Sequence, residues 1–330
     1  MAAPLDVSPV EATAASEAAL AGTGQIEGRS LGQIAWRRLR RDKVAMGGGV
    51  VVILLVLSAV LAPLLTKYFG APPDQYNPNT VDPSLQIPLG GFGGISAAHP
   101  LGVEPSTGRD LFSRILYGAQ ISLLIATLAT LVSVVIGVFF GIVAGYFGGW
   151  ADALISRTMD IFLAFPLLIF AIALSAVVQQ KAFGLTGNTL HILVLVFIIG
   201  FFNWPYMGRI IRGQTLSLRE REYVDAARSL GARPGYVLFR ELLPNLIAPI
   251  VVYATLLIPT NILFEAALSF LGVGVHPPTP SWGAMLSNAV QYYQVDPEYM
   301  LVPGLAIFIT VLAFNLLGDG LRDALDPRAR

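Results

Sequence analysis

The residues whose types and spacing point to specific chemistry lie in a short polar stretch, 222–245, reading EYVDAARSLGARPGYVLFRELLPN, set between two long apolar runs. The wider segment 208–246 carries seven Arg against Glu220, Glu222, Asp225 and Glu241. Its periodicity predicts a helix from about Thr215 to Leu230, with Tyr223, Ala226, Ala227 and Leu230 on one apolar face. Arg221, Asp225 and Arg228 are spaced to pair at i,i+4 and i,i+3. Gly231 stands where a helix end needs a residue with φ > 0. Pro234 suits the first turn of a second helix, predicted to run to about Leu243 before Pro244 and Asn245 lead into the next apolar run. The chemistry this offers is contact rather than catalysis. Two small residues, Ala226 and Ala227, leave a shallow surface on which another protein can rest. The same arginines could instead hold an amphipathic loop on anionic headgroups.

A catalytic engine is missing from the sequence. Lys43, Lys67 and Lys181 are the only lysines, and none sits in a phosphate-binding Gly-rich loop. His99, His191 and His276 are scattered, with no His-Glu-x-x-His pair, and there is no Cys. That pattern predicts no metal cage, no thiol nucleophile and no enzyme. Glu265 is the one acid well inside a long apolar run. A charge at mid-bilayer costs at least about 2.5–3.5 kcal/mol on insertion scales, so Glu265 is a candidate pathway or gate residue. A hydrogen-bonded tie to a neighbouring helix is the equal alternative.

These residues must be positioned by membrane helices. The 330-residue chain is 55% hydrophobic and 13% charged, with a mean hydropathy of +0.67; a soluble domain is about 25% charged. Six apolar runs, 44–65, 119–145, 160–180, 189–207, 247–270 and 301–318, are long enough to cross a bilayer. Residues 1–43 form a cytoplasmic tail, of which 1–30 read as disordered. The outer loop 66–118 follows the first span, with an amphipathic helix expected at 108–118. A five-helix core, 119–318, contains the polar loop 208–246, and 319–330 return to the cytoplasm. With both ends inside, 17 of the 21 Lys and Arg fall on the cytoplasmic side, as the positive-inside rule requires. The outer loop 271–300 opens on a Pro-rich turn, 277–283, followed by a short helix expected to reach Tyr292 and Tyr293. The predicted class is therefore an all-α integral membrane protein with six spans, both termini inside, a cytoplasmic helix–Gly–helix loop and short extracytoplasmic helices.

Within the second span, Ala129, Ser133, Gly137, Gly141 and Gly145 recur every fourth residue. They form a nearly straight groove that lets another backbone approach closely, a helix-packing face.

The spacing Asp225-Ala226-Ala227, three residues, Gly231, nine residues, Glu241-x-Leu243-Pro244 resembles the EAA loop of ABC importer permeases. Asp225 stands for the usual Glu and Glu241 for the usual Ile. Further stretches are similar to the C-type permease of the dipeptide/oligopeptide/nickel branch: 99–102 (HPLG) with 108–114 (GRDLFSR), 152–166 (DALISRTMDIFLAFP), 268–285 and 303–328. Residues 103–107 depart from that pattern. The resemblance implies an inner-membrane subunit of a prokaryotic importer, without an ATPase site or bound cofactor of its own. ATP and Mg would be bound by two separate ATPase subunits. A second permease subunit would complete a heterodimeric path, and an extracytoplasmic binding protein would deliver a peptide. Lipid would surround the chain, and no nucleic acid is implied. Glu222, Tyr223, Asp225, Ala226, Ala227, Gly231, Leu243 and Pro244 would form the ATPase-coupling element. Nickel or another small solute is the alternative cargo, and an ion-coupled secondary transporter the more distant alternative.

Overall fold

A computed structural model of the chain describes residues 31–177, 181–182 and 185–326; the tail assigned to 1–30 lies outside them. Eleven helices carry the described chain. A short amphipathic α1 (Leu31–Leu39) leads into α2 (Lys43–Val60), which is capped by the Asp42 carboxylate accepting from the Val44 and Ala45 N–H groups. α3 (Ala62–Phe69) ends at an irregular outer loop. The long α4 (Leu111–Phe147) is followed by α5 (Gly149–Ala164) and α6 (Leu167–Val177). Two-residue strands β1 (Lys181–Ala182) and β2 (Leu185–Thr186) pair ahead of α7 (Gly187–Arg219). α8 (Glu222–Ser229) precedes α9 (Pro234–Phe270), and α10 (Trp282–Ala289) and α11 (Pro297–Leu325) complete the chain.

Five helices, α2, α4, α7, α9 and α11, are long and apolar enough to cross a membrane, and the pair α5–α6 makes a sixth if its two arms form one span. The apolar run 160–180 is thus not one straight helix. The chain turns by 78° between α5 and α6, at Phe165–Pro166. Proline has no N–H to donate and pushes its predecessor out of the helical region; Phe165 is extended, at φ −79° and ψ 128°. Pro205, Pro249, Pro259 and Pro303, by contrast, sit inside continuous helices.

Two outer-loop expectations are corrected. Residues 111–118 are the first turns of α4 and not a separate interfacial helix, because nothing breaks the helix after Gly118. Its start is fixed by Asp110, whose carboxylate accepts from the Ser113 N–H at 2.8 Å. Leu111 and Leu116 are buried against the chain rather than facing a lipid interface. The helix after the Pro-rich turn ends at Ala289, short of Tyr292 and Tyr293, which lie in turns.

The most extensive contact in the fold is α4 against α7. Ala129, Ser133, Gly137, Gly141 and Gly145 are all buried, and all five meet α7 through hydrogen bonds or space too tight for a side chain. A Cβ on Gly137 would lie 2.7 Å from the Trp204 carbonyl oxygen, one on Gly141 2.7 Å from that of Gly208, and one on Gly145 2.6 Å from the Thr215 Cβ. Gly200 of α7 answers in kind: its own Cβ would lie 2.9 Å from the Ala129 carbonyl. Ser133 Oγ donates to the Gly200 carbonyl at 2.8 Å. Deeper in the pair, Asn203 Nδ2 donates to Asn261 Oδ1 and Asn261 Nδ2 to Thr130 Oγ1, both at 2.8 Å, tying α4, α7 and α9 together. On the other side of the bundle, α2 packs on α11 where a Cβ at Gly48 would meet the Ala313 carbonyl at 2.8 Å. Gly141→Ala is expected to lower stability by about 1–3 kcal/mol, the usual cost of overpacking. Gly213→Ala, in open space, should cost nothing comparable. Thermal unfolding of the two variants in one detergent measures the difference.

Candidate functional site

The polar stretch between α7 and α9 folds as one small unit. α7 stops at Arg219, and the chain turns through Glu220 and Arg221 before α8 begins at Glu222. The continuous helix expected over 215–230 is therefore split, with Arg221 extended at φ −86° and ψ 144°. The split turns Val224 inward. Val224, Val237 and Leu242 are buried together, with Tyr146, Leu218, Ala232 and Leu238 packed round them. Helical periodicity alone did not mark Val224; it falls on the polar side of the stripe drawn through Tyr223, Ala226, Ala227 and Leu230.

That stripe faces outward. Tyr223, Ala226 and Leu230 are exposed, Leu230 at 88%, and Ala227 is half-buried. Glu222 and Asp225 occupy the first turn, where the helix dipole favours acids. Of the two ion pairs allowed by spacing, the structure forms Arg228–Asp225, at 3.6 Å.

The far end of α8 is closed by Gly231 at φ +80°. Gly231 N–H donates to the Arg228 carbonyl at 2.9 Å and Ala232 N–H to that of Ala227 at 3.1 Å, the paired bonds of a Schellman motif. Pro234 then sits in the first turn of α9. Residues Val237–Leu242 of α9 form a π-helical segment, which seats both Val237 and Leu242 on Val224. Asn245 Nδ2 donates to the Glu241 carbonyl at 2.7 Å and to the Tyr223 hydroxyl at 3.4 Å, joining α8 to the start of the membrane part of α9. Leu243 is half-buried and Pro244 exposed at this junction.

The arginines are engaged within the protein. Arg212 grips the Asp152 carboxylate through Nε and Nη2, and Arg209 reaches Asp160 at 2.5 Å, so α7 is bound to α5. Arg219 Nη1 donates to the Gly145 carbonyl at 3.0 Å, at the inner end of α4. Arg228 lies over the Tyr146 ring at 5.2 Å. Three arginines of α7 thus fasten it to α5 and to the end of α4, and Arg228 ties α8 to the end of α4. The pairing of these arginines with Asp152, Gly145 and Tyr146 carried no local signal in the sequence.

Glu265 is fully buried in α9. It accepts from Ser269 Oγ at 2.7 Å, with the Ser122 and Ser281 hydroxyls close by. It does not line the cleft between α7 and α9, of about 360 Å³, whose walls include Asn203, Tyr206, Tyr253, Thr260 and Phe264.

The outer loops are fastened by charges the sequence did not link. Glu104, buried, accepts from Arg109 Nε at 2.7 Å, Arg114 Nε at 2.5 Å and the Tyr299 hydroxyl at 3.1 Å. Arg114 Nη1 also donates to the Pro73 and Pro278 carbonyls. Asp110 bonds His99 at 2.9 Å and Ser113. One cluster therefore joins the loop after α3, the start of α4, the Pro-rich turn and α11. Residues 103–107, where the chain departs from the family pattern, carry its central acid.

With this geometry in view, the comparisons with known proteins are decisive. Residues 137–330 match the family of binding-protein-dependent transport system inner membrane components. This chain belongs to that family. It is an ABC importer permease, a multi-pass membrane subunit. Residues 30–88 also match the N-terminal transmembrane domain of oligopeptide transport permease C. The permease is similar to the glutathione transport system permease protein GsiD of Pectobacterium atrosepticum, 42% identical over 295 residues, which are 89% of this chain and 90% of that one. It is also 41% identical over 296 residues to the dipeptide transport system permease protein DppC of Alkalihalophilus pseudofirmus, covering 90% of each. These relatives are permease subunits and not ATPases. In fold it is similar to the inward-facing MetNI methionine ABC transporter, with a TM-score of 0.51 and 21% identity across 64% of this chain and 96% of that one.

Two outcomes test the permease's outer face. Arg114→Ala should destabilise it by about 3–5 kcal/mol, since it leaves the buried Glu104 short of a partner; denaturation of the purified protein reads this. Asp296, buried at the start of α11, makes no well-formed hydrogen bond through either carboxyl oxygen among the described residues. Burial first, and then the neighbouring Glu298 carboxyl, push its pKa from 3.8 up to about 6. The folded state therefore holds this proton more tightly than the unfolded state. Stability falls as pH rises from about 4 to about 6 and is level above. Asp296→Asn should match the wild type near pH 4 and exceed it in Tm above pH 6.

Proposed function

We propose that this permease, paired with a second permease subunit, forms the path by which short peptides enter the cell. Two ATPase subunits supply ATP and Mg, and an extracytoplasmic binding protein delivers the cargo. The peptide class is supported by relatives whose names specify glutathione and dipeptide transport, each matched over about nine-tenths of its length.

The observation that carries the coupling reading is α8. It is a helix closed at its C-terminal end by Gly231, whose outward side carries the exposed Glu222, Tyr223, Asp225 and Ala226 beside the half-buried Ala227, while Val224 bolts its inward face to α9. Gly231 fixes its angle, and Leu243 and Pro244 join it to the span beyond. An ATPase groove that takes hold of this face pulls on α9 through Val237 and Leu242, and on α4 and α7 through Arg228 and Arg219. Rigid-body transmission of this kind needs a packed joint rather than a flexible linker.

The cleft between α7 and α9 is this chain's contribution to the path. Its polar members, Asn203, Tyr206, Tyr253 and Thr260, lie on helices that otherwise present apolar surface to lipid, and polar groups at membrane depth mark cavities. Glu265 acts one turn away as a buried tie among serines of α4, α9 and the α10 cap, holding the outer end shut.

The test is ATP-dependent uptake of labelled di- and oligopeptides into proteoliposomes holding the assembled transporter, with binding protein outside and ATP inside. Asp225→Arg and Gly231→Pro should abolish uptake while the subunits still co-purify. Val224→Asp, which breaks the joint and leaves the outer face intact, should give ATP hydrolysis without transport. Uptake that follows a proton gradient and ignores ATP would sink the coupling reading.

A further inference from the structure

Two histidines that lie 85 residues apart in the sequence meet on the outer side of the molecule. His191 is in the first turns of α7, and His276 is in the loop between α9 and α10. Their ring centroids are 4.5 Å apart with the planes tilted by 58°. Asn188 fixes this meeting. Its Nδ2 donates to the His276 carbonyl and to Thr279 Oγ1, both at 2.8 Å, and its Oδ1 accepts from the His276 N–H at 3.2 Å. The loop is therefore locked in register with the start of α7.

The ring chemistry is that of a ligand pair. His191 Nδ1 lies 3.0 Å from the Gly187 carbonyl oxygen. That acceptor requires the proton on Nδ1 and leaves a lone pair on Nε2, the arrangement that orients metal-binding imidazoles. The His276 ring is exposed and makes no hydrogen bond among the described residues. Among the described residues neither ring is paired with a carboxylate; His99, the third histidine, is held by Asp110 elsewhere.

The ring separation sets the angle that an ion bound to both rings in place would see. A metal about 2.0–2.1 Å from each nitrogen sits about 3.2 Å from each ring centroid. Centroids 4.5 Å apart then subtend about 90° at the metal. Tetrahedral ligands would need centroids about 5.2 Å apart. Right angles belong to the square-planar and octahedral sites preferred by Cu(II) and Ni(II).

We propose that His191 and His276 form a bidentate site for a divalent transition metal that clamps the start of α7 to the α9–α10 loop. No group of three His, Cys, Asp or Glu surrounds them among the described residues, so water fills the remaining positions and the ion exchanges. The site is separate from the α7–α9 cleft and does not depend on what cargo the permease carries.

The test uses Cu2+ alone on the assembled transporter, purified without a polyhistidine tag. Electron paramagnetic resonance should show a signal with two imidazole nitrogens. His276→Gln should remove it and weaken Cu2+ binding by more than about tenfold, since loss of an outer-shell partner alone costs 10–100-fold. His191→Gln should do the same, and His99→Gln should leave the signal intact. An unchanged spectrum and affinity in His276→Gln would overturn the proposal. Because that ring is exposed and bonds nothing, His276→Gln decides the matter even if His191→Gln fails to assemble.

Discussion

Everything in this permease depends on how closely α4 and α7 approach. In a bilayer, lipid tails are as apolar as leucine, so burying hydrophobic side chains gives little drive for helices to associate. What remains is dispersion between well-fitted surfaces and the few hydrogen bonds that can cross. The stripe of small residues on α4 supplies both. It brings the α7 backbone within touching distance from Gly200 to Thr215, and it lets Ser133 reach a main-chain carbonyl. The Thr130–Asn261–Asn203 chain then fixes α9 against the same pair.

The α8 unit inherits its position from that contact. α8 has few contacts of its own, being eight residues long, too short to be stable alone in water. It persists because its C-terminal end is closed by the Gly231 turn and because Val224 enters a pocket built from the ends of other helices. Arg219 on the Gly145 carbonyl and Arg228 on Tyr146 tie α7 and α8 to the end of α4. The inward face of α8 is thus packed against the ends of α4, α7 and α9.

The outer side follows the same logic with different chemistry. There the chain is irregular, and buried charge replaces helix packing as the fastener. Glu104 gathers two arginines and a tyrosine from distant segments, a geometry in which each acceptor oxygen is used. A buried ion pair of this kind specifies one arrangement, since any other leaves a charge without a partner. The loop that departs from the family's usual sequence is the one that supplies this acid.

The sequence by itself determined the membrane character, the helical class, the family and the turn chemistry of the polar loop. Those properties are local. Hydropathy is counted residue by residue, Gly231 needs only its own φ, Pro234 only its own ring, and the small-residue period is visible along one helix. The break of the third apolar run at Pro166 was not written locally, since Pro205, Pro249, Pro259 and Pro303 sit in apolar runs that stay continuous. What only the tertiary structure decided depends on partners far apart in the chain. Continuous periodicity over 215–230 could not foretell the split at Arg221, because the split exists to seat Val224 on Val237 and Leu242. The amphipathic pattern at 108–118 resembled an interfacial helix, since a face buried by α10 and α11 and a face buried by lipid read alike. The pairing of Arg212 with Asp152, of Glu104 with Arg114, and of His191 with His276 left no trace in spacing, because sequence separation carries no information about which charged or ring groups a bundle brings together.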